Sequence, residues 1–318
     1  LTLFEEILSR SEFQNDPPVL VDIGASGRIH NHWKAIAPYS VCVAFDADDR
    51  EFGFVTKDSS GFKKLHVFNC IVTDKDAVST DFYLTASPFC SSILEPDTEG
   101  LKPYAFGEKF SVDRKINLNA VTLIKALEQS GATRVDWFKS DSQGTDLRLF
   151  QNLPVSMQDE VIVAEFEPGI IDAYHGEDKL YELLAFMGAK PFWMSSMTVK
   201  GSQRFSSSLL KQLSDSSWIQ KMLAFAHEDA PGWAETVYMN SFTGALPVRG
   251  CLLGWVFATI QHQHAFALQC ALDGAKKFND PIFTRMADAS RGSIWRNLFG
   301  MKIVSAARLK LLKVFDKH

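Results

Sequence analysis

Short apolar runs rich in Val, Ile and Phe recur along the first three-quarters of the chain, most of them closed by Gly, Asp or Ser. Runs of this length between turn residues predict buried strands. They fall at residues 19–23, 41–45, 65–72, 134–138 and 160–166, and 192–199 with 235–242 read as an antiparallel pair. Weaker, alternating runs at 81–84 and 110–118 predict further strands. Apolar residues at helical spacing mark 1–11, 33–36, 123–130, a segment starting at Leu147, and 179–187. Pro38, Gly131 and Gly188 supply helix stops, and Asn119 or Thr122 a cap before residue 123. From Pro247 the strand pattern is gone, and 251–278 and 294–315 predict helices. Alternating strands and helices predict an α/β fold with a largely parallel sheet covered on both faces. The expected organisation is an N-terminal helix over 1–17, a sheet domain over 18–244 and a helical C-terminal extension over 245–318.

The first strand runs into Gly24-Ala25-Ser26-Gly27, a turn without a bulky side chain. Such a turn lets a ligand approach the backbone, and a helix starting beyond it would aim free N–H groups the same way. Asp22 sits in the last turn of that strand, where a carboxylate can meet a cation or a hydroxyl. Asp46 closes the second strand, 22 residues beyond Gly24. Nucleoside-binding α/β folds place the carboxylate that accepts both ribose hydroxyls at about this distance. The dinucleotide fingerprint Gly-x-Gly-x-x-Gly is incomplete here, so a pyrophosphate is poorly served. A cofactor with a ribose but no phosphate fits better. S-adenosylmethionine is such a cofactor, and its cationic end suits Asp22. Gly24, Ser26 and Gly27 are expected at the cofactor backbone, Asp46 and Ala47 at the ribose, and Asn69, Cys70 and Ile71 at the adenine. Ser140 is expected at the cofactor as well, and Asp141 beside its methionine end or the acceptor.

Composition narrows the partners. A net charge of −5 over 318 residues leaves no basic excess to neutralise phosphates, so nucleic acid is not expected. The five cysteines form no Cys-x-x-Cys pair, which predicts reduced thiols and a cytoplasmic protein. The sequence opens on no basic-then-apolar leader, and no run reaches the roughly 18 apolar residues that would span a bilayer. The basic amphipathic pattern of 294–315 permits contact with a membrane surface, although a face packed on its own domain is the commoner use. A homodimer through the helical C-terminus is equally open. His30 with His32, His262 with His264, and Asp141 with Glu165 and Asp172 are weak metal sets, and no metal is expected. Trp193, Trp218 and Trp233 are expected in the core, or as a platform for a sugar if exposed.

Val-Asp-Ile-Gly-Ala-Ser-Gly (21–27), Asp46, Phe-Lys-Ser-Asp-Ser-Gln-Gly-Thr-Asp (138–146) and Val-Ala-Glu-Phe-Glu (163–167) occur in the order found in FkbM-type methyltransferases. The first block resembles that family's Val-Asp-Val-Gly-Ala-Asn-x-Gly, and the third its Lys-Ile-Asp-Val-Glu-Gly-x-Glu. The similarity covers roughly residues 18–192. It implies a class I methyltransferase: a Rossmann-like seven-stranded mixed sheet with its last strand antiparallel, and S-adenosylmethionine-dependent O-methylation of a sugar, glycan or secondary-metabolite hydroxyl. The chain departs from the pattern in the first block, where Ser26 and Gly27 are closed up by one position in place of Asn and a spacer, and at four positions of the third. Ser140 and Ser142 replace apolar residues beside Asp141, while Gln143 and Asp146 stand where Glu is usual.

Methyl transfer needs a hydroxyl positioned about 3 Å from the activated carbon and a base for its proton. His175, in a loop after the fifth core strand, is the first candidate, because an imidazole titrates near 6.5. Asp141 and Glu165 are its rivals. Two other readings compete with the enzyme: a non-catalytic relative that binds a partner through its C-terminal helices, and a nicotinamide-dependent oxidoreductase or epimerase.

Overall fold

The computed structural model describes residues 2–25, 31–47, 61–242 and 247–315, with 31 and 300–315 described by backbone alone. The chain forms two compact units, Pro17–Thr243 and the pair Leu1–Asp16 with Gly244–His318.

The larger unit is an α/β layer structure. Its strands in chain order are β1 (Val19–Ile23), β2 (Val41–Phe45), β3 (Lys64–Phe68), β4 (Ile71–Thr73), β5 (Ser79–Thr85), β6 (Val112–Thr122), β7 (Trp137–Ser140), β8 (Val163–Phe166), β9 (Phe192–Ser202) and β10 (Ala230–Asn240). Seven of them make a mixed, Rossmann-like sheet in the order β3-β2-β1-β7-β8-β10-β9. β10 runs antiparallel to both neighbours, and the other pairings are parallel. The remaining three form a small sheet, β4-β6-β5.

Val21, Ile23, Val43, Phe45, Phe138 and Phe166 bury one face of the large sheet. The Leu127 and Phe150 side chains, from helices Leu123–Ser130 and Asp146–Gln151, pack into the same core. Phe138, Phe150 and Phe166 meet with ring centroids 5.2–5.6 Å apart. Helix Leu123–Ser130 is capped by Thr122, whose hydroxyl accepts the Lys125 N–H, and ends at Gly131 in the left-handed conformation. A carbonyl-satisfying Gly at that position is the common helix stop.

Several boundaries differ from the sequence reading. The run 65–72 is two strands, because the chain turns at exposed Asn69 and Ile71–Thr73 leaves the large sheet to pair with β6. The segment around 33–36 forms only two 3-10 turns, Asn31–Ala35 and Ala37–Tyr39. Pro38 lies in the second and has no N–H for a continuing helix. β7 starts at Trp137 rather than 134, since the Asp136 carboxylate takes the Val19 N–H that would begin the ladder. In the smaller unit, 251–278 is two helices, Val248–Ile260 and His264–Lys277. They are broken where His262 takes a φ of 57°.

The smaller unit joins both ends of the chain. Arg10 pairs with Asp280 at 2.6 Å, and Arg249 with Asp16 at 3.0 Å. Phe4 lies edge-on to Trp255, and the Trp255 indole donates to Ser290 Oγ. Helix Ile282–Phe315 begins well before the predicted 294. A side chain at Gly274 would lie 2.3 Å from the Phe283 ring, so the absence of a Cβ sets that helix contact. No helix among the described residues is long and apolar enough to cross a membrane.

Candidate functional site

Two adjoining cavities lie outside the carboxyl ends of the parallel strands, where open α/β sheets bind ligands. The first is lined by the tips of β1 and β2 (Gly24, Asp46, Ala47), by Cys70 and Ile71, and by Phe82 and Ile93. The second, about 450 Å³, is lined by residues after β7 and β8, the end of β9 and the start of β10. Phe89, Asp141 and Gln143 line both.

Gly24 sits at the switch point between β1 and β7. Its φ is +78°, and a Cβ there would stand 2.3 Å from the Asp141 carbonyl oxygen. Glycine is therefore required twice, by conformation and by space. The Asp141 N–H donates to Ile23 O at 3.0 Å, which fixes Asp141 against the same turn.

The loop after β7 is built on Asp146, which is 2% exposed. Its carboxylate accepts from Ser140 Oγ, Ser142 Oγ, Ser142 N and, on the second oxygen, Glu167 N at 2.8 Å. Three of the departures from the motif around Asp141 thus form one set: the two serines reach a short acid, and that acid ties the end of β7 to the end of β8. Gln143 follows with a φ of 58°, rarely adopted by a residue with a side chain. Its amide donates to Asp141 Oδ1, its backbone carbonyl accepts from Ser92 Oγ, and its Oε1 lies 2.9 Å from the Tyr174 hydroxyl. Tyr174 is buried and lies equally close to Cys90 O. A chain of polar contacts therefore runs from Tyr174 through Gln143 to Asp141.

Burial raises the Asp141 carboxyl to about 6, with Asp146 and Asp22 adding to the rise and Lys139 and Gln143 opposing it. Glu167 is pushed further, to about 9, by burial and by Asp141, Asp146 and Glu235, against Lys139. Two carboxyl groups on one cavity wall are thus held at different protonation states, the usual mark of separate roles.

The structure brings together Gly24, Asp46, Ala47, Cys70, Ile71 and Asp141 of the residues expected from sequence. It places the others elsewhere. Asp22, fully buried, meets the ammonium of Lys139 at 2.8 Å instead of facing a cavity. Burial opposes the charge on that lysine, and Asp22, Asp141 and Glu165 together hold it well protonated. Glu165 is the strand partner of Lys139 on the same sheet face and accepts the Trp137 indole N–H at 2.8 Å. Ser140 is spent on Asp146, and Asn69 is exposed and lines neither cavity. His175 lies in an exposed turn and likewise lines neither. Ser26, Gly27 and His30 lie outside the described residues. Asp172 is exposed and paired with Lys179, so it does not converge with Asp141 and Glu165. Among the described residues no three His, Cys, Asp or Glu side chains gather as a metal site. Trp218 is 68% exposed and not in the core, and Trp233 lines the second cavity.

No protein-family model matches the chain, and comparison with curated proteins and with solved structures gives no significant match. The chemistry of the site is read from its geometry. Sequence reasoning missed Gln143, Glu167 and Tyr174. A signal for Glu167 did exist: Gly24, Asp46, Asp141 and Glu167 are each the first residue beyond a strand of the large sheet.

Proposed function

We propose that the protein is an S-adenosylmethionine-dependent O-methyltransferase of the class I architecture, with the cofactor in the first cavity and the acceptor in the second. The observation that carries this reading is the meeting of the two cavities at Asp141, across from Gly24. A seven-stranded mixed sheet in which β10, the last strand along the chain, is alone reversed matches the arrangement implied by the motif resemblance, and supports it.

The lining of the first cavity fits this cofactor. Gly24 leaves the backbone open where a Cβ would collide with Asp141. Asp46, at the tip of β2, is positioned to accept ribose hydroxyls, and Ile71, Val72, Phe82 and Ile93 offer an apolar surface for a base. No Lys or Arg is among the described residues lining this cavity, whereas Asp46 and Asp141 are. Among these described residues a pyrophosphate would meet no cation, and a sulfonium would meet two acids. The bound cofactor supplies an electrophilic methyl group.

Asp141 then serves as the base. With its carboxyl near neutrality it is ionised in an appreciable fraction of molecules and still basic enough to take a hydroxyl proton. Gln143 holds the Asp141 carboxylate from one side, and Tyr174 holds Gln143. Glu167 keeps its proton and can donate a hydrogen bond. The free thiols of the described cysteines suit a reducing, cytoplasmic setting.

The test is calorimetric titration of S-adenosylhomocysteine and of NAD into the protein and its Asp46→Ala variant. Micromolar binding of S-adenosylhomocysteine is expected, weakened about 10- to 100-fold in the variant by loss of charge-assisted hydrogen bonds. Binding of NAD alone would overturn the cofactor assignment, and binding of neither would leave a non-catalytic fold.

A further inference from the structure

The second cavity is acidic on one wall and aromatic on another. Trp233, Phe106, Phe110 and Tyr174 form a continuous aromatic series, with successive ring centroids 6.3, 5.3 and 5.5 Å apart. Asp141, Glu167, Glu177 and Asp229 supply the carboxyl groups, and exposed Lys109 is the one cation among the described lining residues. Glu177 is already neutralised by Lys179 at 2.6 Å. The remaining three are not paired with a cation at salt-bridge distance among the described residues, and no described side chain donates a hydrogen bond to Glu167.

Three side-chain donors of the cavity are already committed. The Gln143 amide serves Asp141, the Gln203 amide serves Asp229, and the Tyr174 hydroxyl lies between Cys90 O and Gln143 Oε1. With four acidic side chains against one lysine, the lining favours a ligand that brings hydrogen-bond donors, and a phosphate or carboxylate would face acids of its own sign. A neutral sugar would satisfy some acceptors but leave the charge imbalance. An ammonium satisfies both, because it donates three hydrogen bonds, balances a carboxylate, and is attracted to the faces of Trp and Tyr rings. The volume of about 450 Å³ lies in the range of small-molecule sites, about 300–1,000 Å³.

We propose that the acceptor carries a protonated amine beside the hydroxyl that is methylated, and that Glu167 and the Trp233–Phe106 wall hold this amine. The inference rests on the methyltransferase reading for its mention of a methylated hydroxyl; the cation site itself does not. Glu167 is influenced by Asp141, Asp146, Glu235 and Lys139 and on balance keeps its proton. Binding an ammonium then converts Glu167 to its carboxylate and releases that proton to solvent, so charge is conserved.

The experiment uses the full chain and three probes of one shape: cyclohexylamine, cyclohexanol and cyclohexanecarboxylate. Ligand-observed NMR measures each affinity, and calorimetry in two buffers of different ionisation heat measures proton release at pH 7.5. The amine is expected to bind at least about tenfold more tightly than the alcohol, and the carboxylate least. Proton release should accompany the amine alone. In Glu167→Gln the amine should lose its advantage and the proton release. In Trp233→Leu both probes should weaken, with the amine losing more. Equal affinities, a preference that survives Glu167→Gln, or no amine binding at tens of millimolar would each overturn the proposal. S-adenosylhomocysteine titrated into the same samples separates the two readings. Its failure with the amine preference intact sinks the cofactor assignment alone, and the reverse outcome sinks the amine site alone.

Discussion

The two cavities share a wall but differ in how the chain builds them. The first comes largely from strand tips close in sequence, at Gly24, Asp46 and Cys70, each following a strand of the same parallel run. The second draws on residues 89–110, 141–144, 167–177, 201–203 and 229–233, and requires β10 to enter the sheet between β8 and β9. The first thus follows from local order along the chain, and the second exists only once the far edge of the sheet has closed. The chemistry differs in the same direction. The first offers the bare backbone of Gly24, two acids and an apolar surface. The second crowds acids against rings, and burial there sets Asp141 and Glu167 at about 6 and about 9.

Gly24→Ala is the sharpest way to break the separation between the cavities. The new Cβ collides with the carbonyl of Asp141, a residue common to both, in a backbone conformation that disfavours any side chain. Stability should fall by about 2 kcal/mol, and both S-adenosylhomocysteine and cyclohexylamine should bind at least about tenfold more weakly. Thermal melting and calorimetry report the two effects. If one ligand is unaffected, the cavities do not communicate through this junction.

Glu167→Gln acts on the second cavity only, through pH. In the folded chain Glu167 holds its proton to about 9, and in the unfolded chain it ionises near the ordinary 4.5. The folded state therefore binds more protons between these values. The stabilisation is complete below about 4.5 and is lost as pH rises toward 9. Asp141 acts with the same sign between 3.8 and about 6. The wild type should accordingly lose several degrees of melting temperature between pH 5 and pH 8.5, and Glu167→Gln should flatten that slope. A slope unchanged by the substitution would show that Glu167 ionises freely.

Tyr174→Phe is the smallest of these perturbations. It removes one hydroxyl and leaves Cys90 O and Gln143 Oε1 without it. A loss of about 1 kcal/mol is expected in denaturant unfolding, with S-adenosylhomocysteine affinity unchanged and amine affinity reduced by a small factor. A weakened cofactor affinity instead would show that the Tyr174–Gln143–Asp141 chain organises the first cavity as well.

The residues at the cavity rim obey a simple geometry. Inside a strand, a side chain points to one face or the other and is absorbed by whatever packs there. Asp22 and Glu165 are such residues, which is why both meet the Lys139 row and not a ligand. Gly24, Asp46, Asp141 and Glu167 each stand one residue past a strand, at the rim. Reading 134–138 as the strand hid this rule for Asp141, because the true end lies at Ser140. Asn69 also follows a strand, yet it is exposed at the outer edge where the chain turns toward the small sheet.

The apolar runs by themselves determined the α/β class, the parallel strands β1 and β2, the reversed strand near the end of the sheet domain, and the helix between Thr122 and Gly131. These depend on local burial pattern and capping, which the sequence states directly. Only the tertiary structure decided that both chain ends share one unit, that the serines beside Asp141 serve Asp146, and that Glu167, Tyr174 and Trp233 face one cavity. Those outcomes depend on which distant strand tips become neighbours in the sheet. They depend also on desolvation of charges by residues far away in sequence, which no local pattern records.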